Sequence, residues 1–316
     1  MDVVQELGED ALSKDLTGEI KHEKRHFASG AYSDVYGGDW TDASTGRVTR
    51  VAIKVLRGIT DNETGLMKTR KMIRREIAVW MGLEHPNITP FLGVVTGFGP
   101  LSAMVSPYCS KETIVRYTLE NPVVDRLPLI LGVANGLAYL HSLNIIHGDL
   151  KGDNILIDDD YSPRLVDFGR SRILGRRGFT DAPTVPKRYM APELMVIPDD
   201  ITTADRKIEI YAFAMVVIEV CILADFVDNS GRINFVVLQI LTSKPTFLVF
   251  LHQHYAAMLI QGGKRSGNAR CLPTHFADEI WEITKDCWHD DPQARPEMAA
   301  VILRLEEMRL KKSRAA

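Results

Sequence analysis

The stretch His147-Gly148-Asp149-Leu150-Lys151-Gly152-Asp153-Asn154 places an acid, a cation and an amide within six residues, directly before the apolar run Ile155-Leu156-Ile157. The carboxylate of Asp149 can accept a hydroxyl proton, and the ammonium of Lys151 can neutralise a phosphoryl oxygen. The amide oxygen of Asn154 is a ligand type that Mg²⁺ binds. These groups suit phosphate-transfer chemistry. A polar turn that caps a helix would contain the same residue types, so the interpretation depends on the rest of the chain.

The composition is that of a globular chain without a strong charge bias. Its 316 residues are 45% hydrophobic and 25% charged, which is enough for one large domain or two lobes. The formal net charge of -3 gives no overall basic field, so nucleic acid is not expected as a partner. The four cysteines form no Cys-x-x-Cys pair, which argues against a disulfide or zinc framework and favours a reducing compartment.

The sequence pattern contains no clear targeting or membrane signal. Residues 1–15 are acidic and lack the apolar core of a signal peptide. The longest apolar tract, residues 233–251, is interrupted by polar residues and by Pro245, which argues against a membrane span. We therefore expect a cytoplasmic protein that has no membrane partner.

The order of the patterns predicts an α+β fold of two lobes. Strand-like alternation with turns occupies residues 20–56, a helical pattern follows over 61–83, and the chain becomes mainly helical after Tyr108. The lobes would join near Pro107-Tyr108-Cys109. The predicted divisions are a flexible lead over 1–14, a domain over 15–309 with lobes 15–106 and 107–309, and a basic tail over 310–316.

Five further features occur in order around the opening stretch. A small-residue turn at Gly30 precedes Val35, and such a turn lets backbone N–H groups approach phosphates. Lys54 ends a Val-Ala-Ile-Lys strand. Glu76 lies on the apolar face of the following helix, where a carboxylate needs a cationic partner. The last two features are Val166-Asp167-Phe168-Gly169, and Tyr189-Met190-Ala191-Pro192-Glu193 with Arg295-Pro296-Glu297 far downstream.

Together these features resemble the eukaryotic protein kinase domain over about residues 15–309. The Asp-Leu-Lys-x-x-Asn form of the central stretch is similar to serine/threonine kinases, and Asp15-Leu16-Thr17-Gly18 is similar to their tyrosine-kinase-like branch. The resemblance implies a bilobal fold, with a β-rich N-lobe that carries one main helix and a helical C-lobe. It also implies an enzyme that uses ATP and Mg²⁺ to phosphorylate serine and threonine hydroxyls of protein substrates.

The resemblance assigns catalytic roles to four residues. Lys54 would hold the α- and β-phosphates of ATP and would pair with Glu76. Asp149 would accept or orient the proton of the substrate hydroxyl, and Lys151 would steady the transferring phosphoryl group. The Mg²⁺ ligands implied in the same way are Asn154 and Asp167.

The nucleotide pocket implied by the resemblance is mostly apolar. Ala52 and Leu156 would sandwich the adenine, and the main chain of residues 107–109 would hydrogen-bond its edge. Ser106 stands at the gatekeeper position, where a small residue would leave a back pocket open. Cys109 is expected to be buried and unreactive. The implied nucleotide-binding residues are Ala28, Gly30, Val35, Ala52, Lys54, Ser106, Tyr108, Cys109 and Leu156.

Two structural contacts outside the reaction centre are also implied. The rings of Trp80, His147 and Phe168 would stack as part of an apolar spine. Glu193 would form a buried ion pair with Arg295 in the helical lobe.

The chain departs from the family pattern in two of its loops. The glycine-rich loop keeps only Gly30 in Ala28-x-Gly30-x-x-Ser33, so weaker or slower nucleotide handling is expected. Gly148 stands where many kinases carry an arginine that pairs with a phosphorylated activation loop. We therefore expect activity that does not depend on phosphate at Thr180 or Thr184.

Three other departures raise separate questions. Glu209 stands where the family has an aspartate that braces the catalytic loop, and its extra methylene predicts a looser brace. Pro186 is typical of tyrosine kinases whereas Lys151 is typical of serine/threonine kinases, so dual specificity stays open. Residues 221–240 are an extra segment, which is either a genuine insertion or translated non-coding sequence.

Two rival functions remain at this point. A pseudokinase or scaffold would keep the fold with weak or no catalysis, and the altered loop and Glu209 motivate that alternative. Small-molecule phosphotransferases often share the His-Gly-Asp form, but they usually lack the Ala-Pro-Glu motif with its downstream arginine. The sequence leaves the substrate, the upstream regulation and the oligomeric state open.

Overall fold

The computed structural model describes residues 13–30, 33–57, 62–174, 189, 191–195, 205–222 and 278–315. Within them the predicted α+β arrangement is confirmed, because an antiparallel sheet forms the first third and helices dominate the remainder. Thr180, Thr184 and Pro186, and the extra segment beyond Ile222, lie outside the described residues. The predictions made for them therefore stay predictions.

Five strands form the N-terminal sheet. They are β1 (Ile20–Ser29), β2 (Ser33–Thr41), β3 (Val48–Leu56), β4 (Gly93–Val95) and β5 (Ala103–Pro107), arranged in the order β1-β2-β3-β5-β4 with antiparallel pairing. Val51 and Ile53 on β3 are fully buried, whereas Ala52 and Lys54 between and after them face the other side of the pleat. This alternation leaves one face of β3 for packing and the other for the site.

One long helix packs against this sheet. Helix α1 (Glu63–Trp80) begins at Asn62, whose side chain accepts a hydrogen bond of 2.7 Å from the backbone N–H of Gly65. Glu76 is buried on its inner face, as the sequence predicted. The helix ends at Trp80, three residues before the predicted end, because Gly82 disfavours continuation.

Five helices of the second lobe lie within the described residues. They are α2 (Ile114–Glu120), α3 (Arg126–Ser142), α4 (Asp205–Ile222), α5 (Asp278–Cys287) and α6 (Met298–Ala315). Helices α3 and α4 are buried along most of their length, because apolar side chains cover nearly the whole of their surfaces. In the part of the chain that the structure describes, no helix is long and apolar enough to cross a membrane.

Four short strands support the loops between the lobes. Strand β6 (Ile145–Ile146) pairs with β9 (Arg172–Ile173), and β7 (Ile155–Ile157) pairs with β8 (Pro163–Leu165). The stretch with which the sequence analysis began connects β6 to β7, so both of its ends are anchored by strand pairing. Residues 166–171 connect β8 to β9 and lie beside that stretch.

The segment before β1 pairs with the far edge of the sheet. The N–H of Leu16 donates to Val94, the N–H of Val94 donates to Lys14 at 2.9 Å, and the Leu16 side chain is fully buried. Gly93 has φ of 152°, and a Cβ there would overlap the carbonyl oxygen of Lys14. Glycine is therefore needed for this close approach. The domain boundary before Asp15 stays a prediction, and Lys14 on its far side already belongs to the paired segment.

Candidate active site

The carboxylate of Asp149 lies at the centre of the site. Its side chain is buried, and its Oδ2 accepts hydrogen bonds from Lys151 Nζ at 2.8 Å and from Asn154 Nδ2 at 2.9 Å. Asn154 Nδ2 also donates to the backbone carbonyl of Asp149 at 2.8 Å. The acid, the cation and the amide of the central stretch therefore converge on one carboxylate oxygen.

The other oxygen of Asp149 has a different neighbour. Oδ1 accepts no hydrogen bond and lies 3.5 Å from Nη1 of Arg170. Arg170 ends a short 3-10 turn (Phe168–Arg170) that follows Asp167. The sequence analysis did not include Arg170, although a basic residue directly after Asp-Phe-Gly was a signal that could have drawn attention to it.

Gly148 explains how Arg170 comes so close to the catalytic loop. Gly148 has φ of 78°, a backbone conformation that residues with a side chain rarely adopt. A Cβ built at residue 148 would overlap the carbonyl oxygen of Arg170. Glycine is therefore required here by both conformation and space, which is a physical reason for Gly148 that the sequence comparison alone did not supply.

Two carboxylates on α4 hold the backbone of the loop. Glu209 Oε1 accepts the N–H of Gly148 at 2.8 Å, and Oε2 lies 2.9 Å from Nε2 of His141. The expectation of a looser brace at Glu209 is wrong, because the longer side chain places one oxygen against each partner. Glu219, which the sequence analysis did not assign, accepts hydrogen bonds from the N–H of Gly152 at 3.1 Å and from the hydroxyl of Tyr189 at 2.7 Å. Its signal was a carboxylate within an apolar run.

Replacing Glu209 by Ala should destabilise the protein and slow catalysis together. The change leaves a half-buried N–H at Gly148 and a buried ring nitrogen at His141 without their partner, at a cost of about 3 kcal/mol. Chemical unfolding measures the free energy, and single-turnover phosphate transfer measures the rate. The control is Glu279→Ala, since Glu279 makes only an exposed pair with Lys311. Equal unfolding midpoints for the two variants would contradict the brace.

Lys54 joins three of the predicted motifs. Its ammonium lies 2.7 Å from Oε1 of Glu76 and 2.6 Å from Oδ1 of Asp167. Glu76 is buried and Lys54 is half-buried, whereas 38% of the Asp167 side chain is exposed. The cationic partner that the buried Glu76 was predicted to need is therefore Lys54.

The charge states follow from this arrangement. Burial by itself lowers the pKa of the Lys54 ammonium, but the charges of Glu76 and Asp167 outweigh burial and hold that pKa above its ordinary value. Burial by itself would raise the pKa of Asp167, but Lys54 outweighs it and brings the pKa to about 2. Burial raises the pKa of Glu76, although Lys54 counteracts part of the effect. The ammonium of Lys54 and the carboxylate of Asp167 are thus charged at neutral pH.

Aromatic rings fix the segment that carries Asp167. Phe168 is fully buried, and its ring centroid lies 5.7 Å from that of Trp80 and 5.3 Å from that of His147. His147 Nε2 also lies 3.0 Å from the carbonyl oxygen of Val166. The predicted stack of the three rings is present, and it ties the α1 helix to both loops of the site.

The residues assigned to Mg²⁺ carry suitable oxygens. The N–H of Val166 donates to the carbonyl of Asn154 at 3.0 Å, so Asp167 directly follows a residue that is hydrogen-bonded to Asn154. Because Nδ2 of Asn154 makes both contacts to Asp149, its amide oxygen points away from that residue. Asp167 has a second carboxylate oxygen besides the one that contacts Lys54. An amide oxygen and a carboxylate oxygen are a donor set that fits Mg²⁺.

Cross-strand register groups the residues assigned to the nucleotide. Ala28 pairs with Val35, and Val35 pairs with Lys54. In the neighbouring row, Ala52 pairs with Ser106. These positions therefore line one continuous part of the sheet, and the small side chains at 28, 52 and 106 leave room beside it.

The second lobe contributes Leu156 and the connection between the lobes. Leu156 is half-buried between the fully buried Ile155 and Ile157, as expected for a side chain that faces a cleft. The N–H of Tyr108 donates to the carbonyl of Arg50 at 3.2 Å. Cys109 is buried, and burial raises the pKa of its thiol to about 11, in agreement with the expected low reactivity.

Side chains of neighbouring residues support the glycine-rich loop. The N–H of Gly30 donates to the carbonyl of Ser33 at 2.7 Å, and Ser29 Oγ donates to Asp34 Oδ1 at 2.8 Å. The guanidinium of Arg57 contacts both the carbonyl of Gly30 and Asp34. These contacts were not predicted, because they depend on how β1, β2 and β3 align at their ends.

The predicted ion pair of the helical lobe is confirmed. Arg295 is fully buried, and its two terminal nitrogens lie 2.7 and 2.9 Å from the two carboxylate oxygens of Glu193. Arg295 also donates to the backbone carbonyls of His289 and Lys207. One guanidinium therefore joins the Ala-Pro-Glu motif to α4 and to the segment before α6.

Comparison with known proteins gives one consistent family. Residues 22–305 match the model of the family described as protein tyrosine and serine/threonine kinase. Serine/threonine-protein kinase STY46 of Arabidopsis thaliana is 26% identical over 295 residues, which cover 92% of this chain and 44% of the relative. Serine/threonine/tyrosine-protein kinase HT1 of the same species is 26% identical, with 89% and 64% covered. RGS domain-containing serine/threonine-protein kinase A of Dictyostelium discoideum is 27% identical, with 88% and 23% covered. The chain thus spans less than two thirds of each relative.

Proposed function

The chain belongs to the protein tyrosine and serine/threonine kinase family, and we propose that it transfers the γ-phosphate of ATP to serine and threonine hydroxyls of protein substrates. The observation that carries the proposal is the convergence of Lys151 and Asn154 on Asp149, beside the Lys54 contacts to Glu76 and Asp167. Phosphate transfer needs a base, fixed cations and metal-binding oxygens in one place, and these residues supply all of them.

In the proposed reaction the hydroxyl oxygen of the substrate forms a bond to the γ-phosphorus, and the bond to the bridging oxygen breaks to release ADP. Asp149 orients the hydroxyl and receives its proton. Lys151, which already lies 2.8 Å from Asp149, neutralises charge on the phosphoryl oxygens. Lys54 is held charged and in place by Glu76, so it can bind the other phosphates without rearranging.

ATP and Mg²⁺ are the cofactors of the proposal. When bound, Mg²⁺ would supply positive charge that offsets the negative charge of the phosphates. Asn154 and Asp167 would hold it, since their oxygens form a fitting donor set. Three side chains, those of Ala28, Val35 and Ala52, would cover the nucleotide from the N-lobe side, with Leu156 opposite. Ser106, Tyr108 and Cys109 would border its edge, and Gly30 would lie over the phosphates.

The proposed acceptors are serine and threonine in proteins. Lys151 supports this choice, since it stands two residues after the base in the form typical of serine/threonine kinases. The names of the relatives agree with this choice, and one of them includes tyrosine as well. A cytoplasmic location is part of the same proposal, because ATP is available there and Cys109 and Cys287 are buried thiols that form no disulfide.

The pseudokinase alternative finds no specific support among the contacts. Two departures from the family pattern had suggested that alternative, namely the altered glycine loop and Glu209. Glu209 makes both of its hydrogen bonds at ordinary length, and side chains of Ser29 and Arg57 support the loop. Phosphate transfer is therefore the one function that we propose.

Phosphate transfer from radiolabelled ATP to mixed protein substrates tests the proposal. We expect Mg²⁺-dependent incorporation, with phosphoserine and phosphothreonine recovered after acid hydrolysis. Phosphotyrosine as the main product would overturn the assignment of the acceptor. No incorporation with Mg²⁺ or Mn²⁺, from a chain that unfolds cooperatively, would overturn the enzyme.

A further inference from the structure

Arg170 stands directly in front of the proposed catalytic base. Lys151 and Asn154 both bind Oδ2 of Asp149, which leaves Oδ1 as the oxygen that can receive a hydroxyl. Nη1 of Arg170 lies 3.5 Å from that oxygen, too far for a strong hydrogen bond and close enough for charge attraction. One third of the Arg170 side chain is exposed, so its guanidinium can reach solvent and an incoming substrate.

The position of Arg170 is built into the backbone. The 3-10 turn Phe168–Arg170 is anchored by the buried Phe168 at one end, and the N–H of Ser171 donates to Phe168 at 3.0 Å. The carbonyl of Arg170 packs on Gly148, where a side chain would overlap it. The backbone of Arg170 is therefore fixed beside the catalytic loop, and its guanidinium stands at the end of a long side chain.

We propose that Arg170 selects protein substrates that carry an acidic side chain next to the acceptor hydroxyl. Without substrate, the guanidinium is drawn to Asp149. An acidic neighbour of the acceptor offers it a second carboxylate, so the guanidinium moves off Oδ1 and holds the substrate by a new ion pair. Oδ1 is then open to the hydroxyl. A neutral neighbour offers no such partner, and the guanidinium keeps competing for the base. This inference rests on the proposed function.

The size of the expected effect follows from the exposure of Arg170. A partly exposed charge pair changes an equilibrium only modestly, so a preference of about fivefold is expected. A basic neighbour would be disfavoured, because it adds a third cation beside Arg170 and Lys151.

Two peptides with a single serine test the inference. They differ only in the residues on either side of that serine, which are both Glu in one peptide and both Gln in the other. At saturating ATP and Mg²⁺, the wild-type kcat/KM should be about fivefold higher for the Glu peptide. In Arg170→Met the ratio should fall to about one. Arg170→Lys should keep part of the preference, because its ammonium keeps the charge without the reach and fork of the guanidinium.

The matched control is Arg304→Met. Arg304 also pairs with an aspartate, Asp286, at comparable exposure, but it lies on α6 and outside the loops of the site. This variant should keep the wild-type ratio. A ratio of one in the wild type, or an unchanged ratio in Arg170→Met, overturns the inference and leaves the proposed function standing. No transfer to these peptides or to any protein by the wild-type chain overturns both.

Discussion

Replacing Asp149 by Asn should lower the rate of phosphate transfer by about 10³-fold, the usual contribution of a positioned base. The amide keeps the size of the side chain and can still contact Lys151 and Asn154, but it cannot receive the proton of the hydroxyl. Nucleotide affinity should change little, because Lys54, Glu76 and Asp167 are untouched. Single-turnover transfer and nucleotide binding, measured on the same preparation, separate the two effects.

Asp160→Asn is the matched control for this experiment. Asp160 is exposed in the turn between β7 and β8, and its substitution also removes one negative charge. Its transfer rate should equal that of the wild type. If Asp149→Asn kept more than about a tenth of the wild-type rate, Asp149 would not be the base, since even modest general-base catalysis contributes about 10²-fold.

Replacing Arg295 by Met should cost about 3–5 kcal/mol of unfolding free energy. Removal of one member of a buried ion pair leaves the other charge without compensation. Here the loss affects the carboxylate of Glu193 and also two backbone carbonyls, at His289 and Lys207, that Arg295 bonds. Urea unfolding at neutral pH measures the change.

Arg304→Met supplies the comparison for this effect. The Arg304 pair with Asp286 is largely exposed, and such pairs contribute about 0–1 kcal/mol. A second comparison is the double variant Glu193→Gln with Arg295→Met. It should recover part of the loss, because the uncompensated charge is gone. Similar unfolding midpoints for Arg295→Met and Arg304→Met would show that the buried pair does not hold the helical lobe together.

The sequence predicted those contacts that depend on motif residues with complementary chemistry. A buried carboxylate at Glu76 required a cation, and Lys54 supplies it. The ring stack at Phe168 and the pair between Glu193 and Arg295 followed from the family resemblance. The bilobal fold in outline followed from the order of strand-like and helical patterns along the chain and from the same resemblance.

The contacts that were missed depend on backbone geometry that sequence patterns do not encode. Arg170 meets Asp149 only because Gly148 adopts a positive φ and lets the next loop approach. The distance that Glu209 bridges could not be judged from its extra methylene, since the spacing between α4 and the loop was unknown. In the same way, the support of the glycine loop by Arg57 depends on where three strands end.

The two carboxylates of α4 also set the spacing between two points of the catalytic-loop backbone. Glu209 and Glu219 are ten residues apart, a rise of about 15 Å along a helix, and they bind the N–H groups of Gly148 and Gly152. One helix therefore holds the backbone of the loop at both positions. The addition or loss of a single residue between the two glycines, or between the two glutamates, would therefore move an N–H group away from the carboxylate that binds it.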